Sequence, residues 1–149
     1  MPCLKRILVA EDDPGGAELT LSALGELDLA DEVKVVHDGE EALDYLYRRA
    51  AFKSRQKGNP ALILLDLKMP KVTGTEVLQQ IKADEDLRTI PVVVFTSSRE
   101  EKDLTESYKL GVNAYVVKPV EFREFVEAVT NLGLFWTSLN IPPPEAISH

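Results

Sequence analysis

Glu11 with Asp12, Asp66, Thr96 with Ser97, and Lys118 each come directly after a short, mostly aliphatic run. Carboxylates brought close together raise one another's pKa unless a cation sits among them. Mg²⁺ answers that need with oxygen ligands and retained waters, and the lack of Cys and His at these positions argues against zinc. An aspartate can attack phosphorus and form an acyl phosphate. Phosphoryl transfer then asks mainly for positive charge and donors on the remaining phosphoryl oxygens, which Lys118 and the hydroxyls of Thr96 and Ser97 can supply. Asp66 is the expected nucleophile. It ends the most apolar run, residues 62–65, and precedes a loop with Met69, Pro70 and Gly74.

These residues converge only if the runs before them are neighbouring strands. Residues 4–10, 33–36, 61–65, 91–95 and 114–117 are short, rich in Val, Ile and Leu, and bounded by charged or turn residues, as strands are. The third and fourth have no polar break, which suits central strands covered on both faces. Between and after them, apolar residues recur at helical spacing: Ala17, Leu21 and Leu24; Ala42, Leu43 and Leu46; Val77, Leu78 and Ile81; Leu104 and Tyr108; Phe122, Phe125, Val126, Val129 and Leu132. Asp13 before Pro14 and Asp38 before Gly39 are expected helix caps. Alternating strands and helices with right-handed crossovers predict a parallel α/β sheet, whose functional loops lie at the carboxyl ends of the strands.

One such domain accounts for the 149 residues, expected as a domain over 1–133 and a tail over 134–149 with no output domain. A formal net charge of -8 disfavours nucleic-acid binding. No segment has the length of a membrane span, and the apolar run after Lys5 and Arg6 is too short for a signal peptide, so a cytoplasmic location is expected. Cys3 is expected to be a bystander thiol. The polar segment 51–60, with Lys53, Arg55 and Lys57, is longer than such a connection needs and is expected to be a mobile loop.

Four motifs, ILVAEDD at 7–13, LILLDLKMP at 62–70, VVVFTS at 92–97 and AYVVKP at 114–119, resemble in order and spacing those of the receiver domain of bacterial response regulators, a CheY-like family. The likeness covers about residues 4–133. It implies a flavodoxin-like (βα)5 fold with strand order 2-1-3-4-5 and the role of a signalling switch rather than a conventional enzyme. It further implies that Asp66 is the phosphoacceptor, that Asp12 ligates Mg²⁺, that Glu11 holds metal-bound water and that Lys68 ligates through its backbone carbonyl. Lys118 would grip the phosphoryl group through a chain with a cis bond to Pro119, and Thr96 and Tyr115 would form a switch pair. The implied partners are a sensor histidine kinase and a downstream phosphotransfer or target protein. The long second-helix connection and the ending FWTSLNIP resemble stand-alone regulators of bacterial phytochrome-type kinases, which are often homodimers.

Taken singly, each residue has a plainer reading: Glu11 and Asp12 as a solvated helix start, Lys118 as a surface lysine, Thr96 as a strand-end hydroxyl, Tyr115 as a packing aromatic. Asp13 is assigned to capping, and His37 and His149 to no role in transfer. Phe135 and Trp136 either fold back over the core or pair with another subunit, and pairing is the expectation. Two other functions compete. A phosphohydrolase with an aspartyl nucleophile would commonly carry an acid two residues on, where this chain has Lys68. A receiver-like adaptor that is never phosphorylated would not need the full charged set.

Overall fold

The computed structural model describes residues 4–144, so Cys3 and His149 lie outside the described residues. Five parallel strands, β1 (Ile7–Ala10), β2 (Val33–Val36), β3 (Leu62–Leu65), β4 (Val92–Thr96) and β5 (Ala114–Val117), form one sheet in the order β2-β1-β3-β4-β5. Five helices follow them: α1 (Pro14–Gly25), α2 (Gly39–Tyr47), α3 (Gly74–Ala83), α4 (Glu101–Lys109) and α5 (Phe122–Leu134). The alternation predicts the parallel α/β sheet, and its order is the flavodoxin-like 2-1-3-4-5 that the resemblance implies.

Strand periodicity divides the core. Ile7 and Val9 of β1, with Leu62 and Leu64 of β3, face a cluster with Leu24, Phe125 and Val129 from α1 and α5. Leu8 and Ala10, with Ile63 and Leu65, face the opposite cluster with Leu43, Leu78 and Ile81 from α2 and α3. The central strands β1, β3 and β4 are buried throughout, while β5 at the edge is half-buried along its length. That explains their unbroken apolar runs.

Local chemistry starts the helices where expected. Asp13 accepts from the Gly16 amide at 3.0 Å and Asp38 from the Glu41 amide at 2.7 Å. Thr73 and Glu76 close a reciprocal capping box on α3. Helix α4 departs from its sequence pattern. Leu104 and Tyr108 stand exposed, and the residues it buries are Asp103 and Ser107.

The segment 51–60 is an anchored loop, which corrects the expectation of mobility. Arg55 is 2% exposed, stacks 4.6 Å from the Tyr45 ring centroid, and donates to the carbonyls of Tyr45, Leu46, Gln56 and Gly58. A planar guanidinium with several donors can satisfy this many carbonyls at once, so beyond the single 3-10 turn Ala50–Phe52 the backbone is held by one side chain. Beyond α5 the chain makes one π-helical turn, Phe135–Leu139, before residues 142–144, all proline, exclude further helix. Trp136 packs against the α1 and α5 side of the core, whereas Phe135 stays 47% exposed. Arg6 Nη2 secures this turn by donating to the Thr137 carbonyl at 2.7 Å.

Candidate functional site

The register sets Ala10 beside Leu65 and Thr96 beside Val117, so the residues that follow β1 and β3 emerge next to those at the ends of β4 and β5. Glu11, Asp12 and Asp66 each offer a carboxylate oxygen, and these atoms lie within 4.8 Å of one another. Glu11 and Asp66 are 3% and 6% exposed, while Asp12 is open to solvent. Lys118 Nζ lies between the two buried acids, donating to Asp66 Oδ2 at 2.8 Å and to Glu11 Oε1. Asp66 Oδ1 accepts from the Lys68 amide at 3.3 Å.

Burial raises the Glu11 carboxyl above its ordinary pKa against the pull of the Lys118 hydrogen bond. Burial also presses the Lys118 ammonium down, but its hydrogen bonds to Asp66 and Glu11 outweigh that and leave it above the usual lysine value. One ammonium therefore faces three carboxylates. The surplus of two negative charges, the all-oxygen donor set and the absence of Cys or His from the cluster fit a hard divalent cation.

The backbone around Asp66 is tightly fitted. A Cβ on Gly74 would stand 2.1 Å from the Asp66 carbonyl oxygen, so the start of α3 can approach this strand end only as glycine. At the end of β4, Thr96 is fully buried and its Oγ1 accepts from the Ser98 amide at 3.3 Å, while Ser97 is exposed. Tyr115 is half-buried, its phenol raised in pKa by burial, and its hydroxyl donates to the Ser98 carbonyl at 3.1 Å. Among the described residues no peptide bond is cis, so the Lys118–Pro119 bond is trans and the expected cis bond is corrected. Lys118 reaches both acids with this bond trans, the form that X–Pro bonds favour slightly. His37 is exposed just after β2 and is not among the residues of the acidic cluster.

The site also includes residues to which the sequence pointed weakly or not at all. Asp103 of α4 accepts from Ser98 Oγ at 2.6 Å and lies 3.7 Å from Lys68 Nζ. An acid on a polar stretch of helix carries no signal of this, because only the fold brings it over the loop after β4.

A parallel sheet with an acidic pocket, a bridging lysine and a buried threonine at its carboxyl edge defines the class of receiver proteins. The model of the response regulator receiver domain matches residues 7–130, and the chain belongs to this family of two-component signalling switches. It is 60% identical to the bacteriophytochrome response regulator RtBRR, with 96% of this chain and 86% of that one covered and a TM-score of 0.74. It is 38% identical to the phosphorylated cyanobacterial phytochrome response regulator RcpA, covering 93% and 98%, with a TM-score of 0.87. Response regulator Rcp1 of Synechocystis sp. is 36% identical over 132 residues, 89% of this chain and 88% of Rcp1. The Mn²⁺-bound form of Rcp1 superposes with a TM-score of 0.84 at 34% identity, covering 93% of this chain and 99% of that one.

Proposed function

We propose that this receiver is a phosphorylation switch in which Asp66 accepts a phosphoryl group from a phosphohistidine of a sensor histidine kinase. An Asp66 carboxylate oxygen forms the new P–O bond as the P–N bond to the donor imidazole breaks, and the imidazole leaves with the electron pair and takes a proton. Glu11, Asp12, Asp66 and the Lys68 backbone carbonyl would hold Mg²⁺, which supplies positive charge to the phosphoryl oxygens. Lys118 supplies a second fixed charge, and the hydroxyls of Thr96 and Ser97 supply donors. Thr96 turning toward the phosphoryl group, with Tyr115 moving into the space it leaves, would couple the chemistry to a change of surface.

The observation that carries this reading is Lys118 bridging Asp66 and Glu11 inside a cluster of three carboxylates. The phosphohydrolase alternative is disfavoured because Lys68 stands two residues after Asp66, where such an enzyme would commonly carry an acid. Incubation with acetyl phosphate and Mg²⁺ is expected to add one phosphoryl group, and Asp66→Asn and chelation are each expected to abolish it. A persistent stoichiometric label on Asp66→Asn would sink the assignment.

The likeness to RtBRR, RcpA and Rcp1 supports a phytochrome-type kinase as donor, a cytoplasmic setting, and readout by a separate phosphotransfer or target protein. Among the described residues no helix is long and apolar enough to cross a membrane. We also propose a homodimer contact at the C-terminal turn. Exposed Phe135, Leu139 and Ile141 support it. Trp136 serves it indirectly, its ring meeting that of Phe135 edge-on at 5.0 Å.

A further inference from the structure

Helix α4 lacks the apolar anchor that seats the other helices. Its buried residues are Asp103 and Ser107, while Leu104 and Tyr108 face outward. The seating of its first turn therefore falls to polar contacts. Asp103 Oδ2 accepts from Ser98 Oγ at 2.6 Å and lies 3.7 Å from Lys68 Nζ. Ser98 is held at two further points, its amide donating to Thr96 Oγ1 at 3.3 Å and its carbonyl accepting from the Tyr115 hydroxyl at 3.1 Å. One carboxylate on α4 thus holds the side chain two residues beyond Asp66 and the side chain two residues beyond Thr96.

Resting on the reading of Asp66 as phosphoacceptor, we propose that Asp103 is a latch on the resting state that acts on phosphoryl transfer through Ser98 and Lys68. It fastens the loops after β3 and β4 in the resting arrangement and releases both when Asp66 is phosphorylated. A Thr96 hydroxyl turned toward a phosphoryl oxygen no longer receives the Ser98 amide in the same geometry, so the Ser98 backbone is freed. The added negative charge at Asp66 draws the Lys68 ammonium, whose exposed pairing with Asp103 is weak. The Ser98 hydrogen bond to a buried, charged acceptor is the stronger half of the latch. A contact present only in the resting state favours that state, so its removal shifts the population toward the active one.

The test compares wild type, Ser98→Ala, Asp103→Ala, Asp103→Glu and the Ser98→Ala/Asp103→Ala double variant. Two quantities are read: the initial rate of phosphorylation by acetyl phosphate with Mg²⁺, and hydrogen exchange of the amides of residues 97–104 with no phosphodonor. Each alanine variant is expected to be phosphorylated about tenfold faster than wild type. The double variant is expected to be no faster than Asp103→Ala, which already lacks the Ser98–Asp103 bond. Asp103→Glu should stay nearer wild type, and exchange should quicken in residues 97–104 but not in α3. A helix that was merely loosened would not accelerate the chemistry.

Rates within about twofold of wild type in both single variants, or effects that multiply in the double variant, overturn the latch. If the wild type takes no phosphoryl group, the reading of Asp66 fails, and exchange alone decides. Unchanged exchange in Asp103→Ala then overturns the latch by itself.

Discussion

Lys118 Nζ stands 2.8 Å from Asp66 Oδ2 and donates at the same time to Glu11, joining the ends of β1, β3 and β5 through one ammonium. All three side chains are largely withdrawn from water. An ion cluster of this kind adds little net stability relative to an apolar core, but removing one partner strands the charges that remain.

Lys118→Met is therefore expected to cost about 3 kcal/mol of unfolding free energy at neutral pH without divalent cation, read from urea titration. Glu11 already has its folded pKa raised, and the variant loses the hydrogen bond that opposes that rise. A carboxyl with a raised folded pKa takes up a proton on folding, so stability grows as pH falls through the folded value toward the unfolded value near 4.3. The deficit of the variant should accordingly narrow on acidification. A deficit that widens contradicts the stranded-charge account.

Divalent cation should stabilise the wild type by mass action, by about 2.7 kcal/mol at a concentration a hundredfold above Kd. Chelator should reverse the gain. Asp12→Asn, a change at an exposed side chain, should leave the metal-free stability nearly untouched and remove most of the cation-dependent rise in Tm. A full rise in that variant would move the cation away from this cluster.

Gly74→Ala should shift the Asp66 backbone, since the new methyl would stand 2.1 Å from the Asp66 carbonyl oxygen and 2.6 Å from Leu67 Cα. The expected cost is about 1 to 3 kcal/mol, together with slower phosphorylation by acetyl phosphate. Wild-type kinetics in a folded Gly74→Ala protein would show that the close approach does not position Asp66.

Arg55→Ala leaves the carbonyls of Tyr45, Leu46, Gln56 and Gly58 without their donor and removes the stack on Tyr45. We expect a loss of about 2 to 4 kcal/mol in urea unfolding, only partly recovered by Arg55→Lys, with phosphorylation kinetics unchanged. Altered phosphorylation with unaltered stability would be the opposite of this expectation.

Sedimentation of the wild type against Phe135→Ala tests the proposed homodimer. The wild type should show a concentration-dependent dimer that the variant loses, and a wild type that stays monomeric at high concentration, phosphorylated or not, defeats it.

Strand positions and the site edge were legible because aliphatic runs and the residues ending them are local signals. Leu62 to Leu65 and Val92 to Phe95 announce central strands, and Glu11, Asp66, Thr96 and Lys118 follow from where the runs stop. What escaped depends on how each segment turns in space, which residue types alone do not fix. Arg55 fell in a segment read as a mobile loop because a run of polar residues does not show that the loop folds its carbonyls of Gln56 and Gly58, with those of Tyr45 and Leu46, around one guanidinium. In α4, Leu104 and Tyr108 gave the apolar spacing of a buried face, yet the inward residues are Asp103 and Ser107. Trp136 and Phe135 are adjacent and equally apolar in sequence, but only the turn of the backbone sends one to the core and leaves the other exposed.

The bond from Arg6 to the Thr137 carbonyl spans 131 residues. A ribosome adds roughly 5 to 20 residues each second, so the chain entering β1 waits on the order of ten seconds for this partner to be synthesised. During translation the edge of the sheet that bears Asp66 can be assembled while the opposite end is still unpinned.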